Sequence, residues 1–284
     1  MEFGRLDPNQ LSDIDFSLPS DPQGTLNVLA SSEVAIPTKI YIGCGRRGHK
    51  TWIGNFYPSK ITEKDFLNEY VKHFNSIELR DTFYQVCTVE KIAALEAQTI
   101  ANPDFLFYPL MPQSISHIRR LRNAEAITIE HINSLTAFGK KLGPSLLQLG
   151  EHFSPKNIAH LEDYLVALPE HFDLFVELRN KAWFEQDILT KVIEIFKAKD
   201  IGFAITDTPG RRDVLHMNLT TPHAFVRFSP SGNPTVDKRR LDFWCEKIDY
   251  WKSAGLRSLG FFINHPEPHF EPELCEYMIR KLGL

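Results

Sequence analysis

The sequence predicts an α/β fold of the TIM type, a (β/α)8-like barrel behind an N-terminal extension, and three observations carry that expectation. From Lys39 onward eight short apolar, β-rich runs recur along the chain. Longer segments of helical period lie between most of them. Stop signals stand where such helices should end before the next strand: Gly143-Pro144, Asp200 to Gly202 and Ala254-Gly255. With 284 residues, 43% hydrophobic and 24% charged, the chain can bury a sizeable core, and a barrel of ~250 residues commonly forms one domain. The expected division is an extension over 1–38 and a single barrel domain over 39–284.

Residues 1–38 mix Asp, Ser, Pro, Gly and Asn with short apolar clusters, a composition suited to an extended arm or lid that adds little to the barrel core. The strand runs follow in order at 39–43, 76–80, 105–110, 145–150, 174–179, 202–207, 224–229 and 259–264. Between them, apolar faces such as Phe66, Leu67, Tyr70 and Phe74, or Ile188, Val192, Ile195 and Phe196, should pack on the sheet. After Asp207 the segment TPGRRDVLHMNLTTPH holds Gly, two Pro and polar residues, so the sixth helix is expected to be short or missing. A doubly wound open sheet is the competing architecture. It calls for G-x-G-x-x-G running straight into a helix, whereas glycines 43, 45 and 48 lead to Trp52 and a Phe-Tyr-Pro loop.

Charge and cysteine usage narrow the function classes. Lys plus Arg total 32 against 36 Asp plus Glu, a formal charge of -4 that argues against nucleic acid as a partner. Cys44, Cys87, Cys245 and Cys275 are widely separated, without C-x-x-C or zinc-finger spacing, which fits a reducing cytoplasm rather than a disulfide framework or structural zinc. The first residues lack the basic flank and apolar run of a signal peptide, and no apolar stretch approaches ~20 residues, so neither export nor a membrane span is expected. No redox cofactor is called for, and the oligomeric state stays open.

In an α/β barrel the ligand lies at the C-terminal ends of the strands, so polar residues closing each run are the candidates. They are Glu78 and Arg80, Gln148, Glu177 and Arg179, Asp207, Arg227, and Asn264 followed by His265. Strand alternation puts Glu78 with Arg80, and Glu177 with Arg179, on faces opposite their apolar neighbours. Arginines flanking carboxylates suit a small anionic ligand, with Glu177, Glu78 and Asp207 as the acid-base groups of a hydrolase, isomerase or lyase. A divalent metal on those three carboxylates is an alternative that the arginines disfavour. The bland reading is a structural network in which Glu177 and Asp207 neutralise Arg179 and Arg227.

The motifs I-G-x(8)-W-x-G-x-F-Y-P at 42–58, I-E-x(3)-T-F-Y at 77–84, V-E-L-R-x(3)-W at 176–183, T-D-T-P at 206–209 and F-V-R-F at 225–228 together resemble the YecE-like family, grouped as domain of unknown function 72. The resemblance runs in order from Ile40 to about His265. It implies a TIM-type barrel and a polar pocket containing Glu78, Thr82, Tyr84, Glu177, Arg179, Trp183, Asp207, Arg227 and Asn264, and it brings no established reaction. Four departures from the family pattern stand out: Gly45-Arg46-Arg47 replaces the usual Ser-Gly-Trp, Arg80 the usual Asn, Leu110 a frequent Lys, and Ile263-Asn264 a pair of asparagines. Arg46, Arg47 and Arg80 should make this pocket more anion-seeking than is usual in the family. The leading expectation is therefore an enzyme acting on a small anionic molecule, phosphorylated and sugar-derived compounds included, by carboxylate acid-base chemistry. The alternatives are a non-catalytic ligand-binding or interaction protein and a metal-dependent nucleic-acid-processing barrel.

Overall fold

The computed structural model describes residues 3–6, 8–32, 37–265 and 268–284. A first helix, α1 (Gln23–Ala30), precedes β1 (Lys39–Cys44). Strands and helices then alternate: α2 (Phe66–Tyr70), β2 (Ser76–Leu79), α3 (Asp81–Tyr84), α4 (Val89–Ala97), β3 (Leu106–Pro109), α5 (Glu125–Leu135), β4 (Ser145–Leu149), α6 (Ile158–Val166), β5 (Leu174–Leu178) and α7 (Gln186–Ala198). The chain continues through β6 (Gly202–Phe203), β7 (Ile205–Asp207), β8 (His223–Phe228), α8 (Pro234–Ala254), β9 (Ser258–Ile263) and α9 (Glu271–Leu282). Between β7 and β8 only a turn of 3-10 helix, Arg212–Val214, interrupts the loop.

All strand pairs are parallel and fall into three sheets, ordered β1-β9-β8-β7, β2-β3 and β4-β5-β6. The run expected as one strand at 202–207 is two, because it changes partner at Ala204. That residue's N–H still reaches Val176 O of β5 (3.0 Å), while Ile205–Asp207 register on Val226–Phe228 of β8. Between β1 and β2, Tyr70 Oη donates to Ser76 O (2.9 Å) and accepts the Cys44 N–H (2.7 Å), and Asn75 spans to Ile40 O and the Ile42 N–H. A Cβ on Gly43 would lie 2.1 Å from Ser76 O, so this close approach requires glycine. Between β3 and β4, the Gly143 N–H reaches Phe107 O and the Met111 N–H reaches Leu146 O, both at 2.8 Å.

Alternate residues of the strands build separate cores, as a two-residue side-chain period requires. One face, with Ile77, Leu79, Ile205, Val226, Phe261 and Ile263, packs on the helices. The other face gathers Tyr108, Leu146, Phe175, Ala204, Phe225 and Phe262 into one aromatic-rich cluster. Ring pairs Tyr108–Phe262 (4.8 Å), Phe225–Phe262 (5.1 Å) and Phe175–Phe225 (5.4 Å) tie it across strands distant in sequence.

Residues 1–38, expected to add little to the core, contribute Leu29 to it. Leu29 is fully buried in the main core, and Thr25 Oγ1 donates to Met217 O (2.7 Å) and accepts the Leu219 N–H (2.8 Å). α1 thus packs on the connection between β7 and β8, where a full helix is missing, and against α8. Gly255 caps α8 in the left-handed conformation (φ 115°), and a Cβ there would meet Leu29 O at 2.3 Å. Leu29→Ala should therefore cost about 2–5 kcal/mol, as for other fully buried leucines. Urea unfolding measures it, and a loss below about 1 kcal/mol would return the extension to a peripheral role.

Candidate functional site

Two residues beyond the aromatic cluster, on the same strand faces, the side chains turn polar: Gln148 follows Leu146, Glu177 follows Phe175, Thr206 follows Ala204 and Arg227 follows Phe225. Register fixes the layer, since Gln148 pairs with Glu177 and Thr206 with Arg227. Glu78 joins it from β2 through its bonds to Arg227.

Arg227 joins these groups. Its Nε and Nη2 donate to the two oxygens of Glu78 (2.7 and 2.8 Å), and its Nη1 donates to Glu177 Oε2 (2.6 Å) and Gln148 Oε1 (2.7 Å). Arg179 donates from Nε to Glu177 Oε1 (2.7 Å) and from Nη2 to Gln148 Oε1 (2.9 Å), and Thr206 Oγ1 also donates to Glu177 Oε1 (2.8 Å). Both carboxylates are fully buried. Burial alone would raise the pKa of Glu177, but the charges of Arg179 and Arg227 and the donated hydrogen bonds outweigh it and hold the carboxyl at about 2. The two arginines move oppositely although they share this partner. Burial pulls both down; two carboxylates leave Arg227 raised, whereas Arg179, repelled by Arg227, stays lowered.

A cavity of about 200 Å³ opens on this layer. Arg179, Arg227, Gln148, Arg80, Asn264 and His265 line it, so the structure brings these six expected residues together. Arg46, Phe3 and Thr206 line it as well. Phe3 lies with its ring 4.5 Å from the Arg179 guanidinium, and its neighbour Gly4 accepts the Gly210 N–H (2.8 Å) and the Thr208 hydroxyl (3.0 Å).

Four other expected residues lie elsewhere. Asp207 is one position out of phase with Thr206 and points to the helix side, where Arg240 Nη2 and Trp244 Nε1 each donate to it at 2.8 Å and Arg212 pairs with it. Burial is again outweighed there, and the arginine charges hold its pKa low. Thr82 Oγ1 donates to Leu79 O and accepts the Leu110 N–H, tying the ends of β2 and β3. Trp183 is buried against Phe153 and donates to its carbonyl (2.6 Å). Tyr84 is 62% exposed. With Asp207 apart from Glu78 and Glu177, no group of three His, Cys, Asp or Glu among the described residues is placed to hold a metal ion.

Sequence reasoning did not single out Glu271, the first residue of α9, which is fully buried beside the cavity. The His265 N–H donates to its Oε1 (2.7 Å), and Arg46 Nε lies 3.1 Å from its Oε2 without hydrogen-bond alignment. Burial outweighs the pull of Arg46, the His265 N–H and Arg80, and pushes its pKa up to about 8.

The model of the family described as "Protein of unknown function DUF72" matches residues 41–284. The chain belongs to the DUF72 family. The UPF0759 protein YecE of Escherichia coli K12 is 26% identical over 254 residues, 83% of this chain and 89% of YecE. A DUF72 family protein of Thermotoga maritima MSB8 shares the fold with a TM-score of 0.73 at 19% identity, over 87% of this chain and 100% of that one. Another, from Enterococcus faecalis V583, gives 0.69 at 18% identity over 87% and 98%. These likenesses place the mixed α/β fold with parallel sheets in the DUF72 family and carry no activity with them. No helix among the described residues is long and apolar enough to cross a membrane.

Two pH profiles test the electrostatics of this DUF72 chain. Because the folded pKa of Glu177 is depressed, its stabilisation is complete above about 4.5 and is lost as pH falls toward about 2. Glu177→Gln should cost about 3–5 kcal/mol near neutrality, by leaving two arginines short of a counter-charge, and should flatten that acid limb. Glu271 has the opposite sign: its folded pKa is raised, so the native protein loses stability as pH rises from 4.5 to about 8. Glu271→Gln should flatten that slope and be more stable than the native protein at pH 8. Chemical denaturation at stepped pH reads both, and parallel curves for native and variant protein would refute the assignment.

Proposed function

We propose that this DUF72 chain is a TIM-type barrel that binds a small anionic molecule at the C-terminal ends of its strands, with Arg179 as the anchor. The barrel reading is supported by the way the three sheets abut in chain order. Tyr70 and Asn75 bridge the first seam, backbone bonds of Gly143 and Met111 the second, and the bent run through Ala204 the third. The shared inner cluster of alternate residues supports it further.

The observation that carries the ligand reading is the sign of the charge left facing the cavity. Glu78 and Glu177 are committed to Arg227 and Arg179, whereas Arg46, Arg80 and Arg179 line the opening. Arg179 Nη1 has no hydrogen-bond partner among the described residues. A planar guanidinium with an open edge, held by Glu177 and Gln148, is a preformed fork for a carboxylate or phosphate. At about 200 Å³ the space suits a ligand smaller than the usual drug-sized occupant.

In this reading Glu78 and Glu177 are positioning residues. A carboxylate held at about 2 accepts protons poorly near neutrality, which favours capture of an anion over proton abstraction by Glu177. Calorimetry with glycolate as a minimal carboxylate probe tests the anchor. Arg179→Lys should weaken binding roughly tenfold by removing one charge-assisted hydrogen bond while keeping the charge. Equal affinity in native, Arg179→Lys and Arg179→Ala proteins would sink the reading.

A further inference from the structure

A second cavity, of about 700 Å³, adjoins the first, and the two share Arg46 and Arg80 in their walls. It lies between the loop after β1, at 45–50, and the end of β2, with Arg47, Lys50, Asp81 and Glu63 on its sides. Two of its charges cancel, since Arg47 Nη1 pairs with Asp81 at 2.8 Å. Glu78 also borders it but is held in both oxygens by Arg227. Arg80 has no side-chain hydrogen bond or ion pair among the described residues. Arg46 donates from Nη2 to His265 O (2.9 Å), and its one carboxylate neighbour among the described residues is the buried Glu271.

We propose that Arg46 and Arg80 form a phosphate subsite in the wall between the two cavities, so that the ligand is a phosphorylated small acid whose other anionic end rests on Arg179. The inference builds on the anion reading of the first cavity and names the class of molecule that would fill it. Two guanidiniums that lack a full counter-charge among the described residues match the double charge of a phosphate monoester at neutral pH, and their planar forks match its oxygens. Glu271 reinforces this. With its pKa near 8 it is mostly protonated at pH 7, and leaves the charge of Arg46 uncancelled. The larger second cavity gives the phosphate access to solvent while the organic body reaches the smaller first one. The cationic wall is local, because the chain as a whole carries a formal charge of -4.

Three probes separate the parts: inorganic phosphate, glycolate, and phosphoglycolate, which joins the two ends in one molecule. Calorimetry on the full chain should show phosphoglycolate binding about a hundredfold more tightly than either fragment, because the second contact becomes intramolecular. Arg80→Ala should weaken phosphate and phosphoglycolate roughly tenfold or more and leave glycolate unchanged, whereas Arg179→Ala should do the reverse for the fragments. Arg80→Gln, longer and polar, repeats the test should the alanine variant fold poorly, and the melting temperature of each variant checks the fold. Absence of phosphate binding to the native protein, or phosphate affinity indifferent to both Arg80 variants, would overturn the subsite. Phosphate that depends on Arg80 while glycolate fails to bind would keep the subsite and remove Arg179 as anchor. Glycolate that depends on Arg179 while phosphate ignores Arg80 would do the opposite.

Discussion

The guanidinium of Arg227 is the constraint on which the site depends, because among the described residues it alone hydrogen-bonds both buried carboxylates of the interior layer. It joins β8 to Glu78 of β2, Gln148 of β4 and Glu177 of β5, strands separated by up to 149 positions in sequence. Two buried carboxylates and the guanidinium between them are costly to desolvate, and the cost is offset only when they are paired with one another. Here the aromatic cluster sets the spacing beneath, and the registers Gln148 to Glu177 and Thr206 to Arg227 set the spacing around. The layer behaves as a unit. Removing one member leaves its partners with unpaired charge in a poorly solvated place.

The strand ends carrying this layer were legible because charge interrupts an apolar run with a period of two, as at Glu78, Glu177 and Arg227. Asp207 was not, because both Thr206 and Asp207 are polar and sequence alone does not say which parity faces inward. The residues before them hold the clue. Phe203 and Ile205 pack outward on the helices, and the small Ala204 fits the crowded aromatic interior, which puts Thr206 inside and Asp207 outside. A carboxylate on that outer face survives because Arg240 and Trp244 of α8 reach it, partners 33 and 37 residues downstream with no local signature.

The extension was opaque for a related reason. Two turns of QGTLNVLA show little periodicity, and what buries Leu29 and Thr25 is a loop almost 200 positions later, at Met217 and Leu219, together with the glycine that ends α8. The loop was correctly expected to lack a full helix. Composition announces such a gap, but the element that fills it comes from tertiary packing, which no single-sequence pattern encodes. The same distance effect hid Phe3, whose ring over Arg179 depends on Gly4 meeting Thr208 and Gly210.

The unequal treatment of the two central arginines gives the cavity its sign. Arg227 has two carboxylates to itself and to share, while Arg179 has a part of one and lies close enough to Arg227 to be repelled by it. The interior layer is thus balanced in charge count but lopsided in space, with its less compensated cation nearest the opening. Glu271 could have corrected this from behind Arg46, but burial beyond the reach of water shifts it toward its neutral form instead. A chain with more acidic than basic residues thus lines this cavity with arginines. The field of these guanidiniums is local, and it is screened less than that of fully exposed charges because protein encloses most of each side chain.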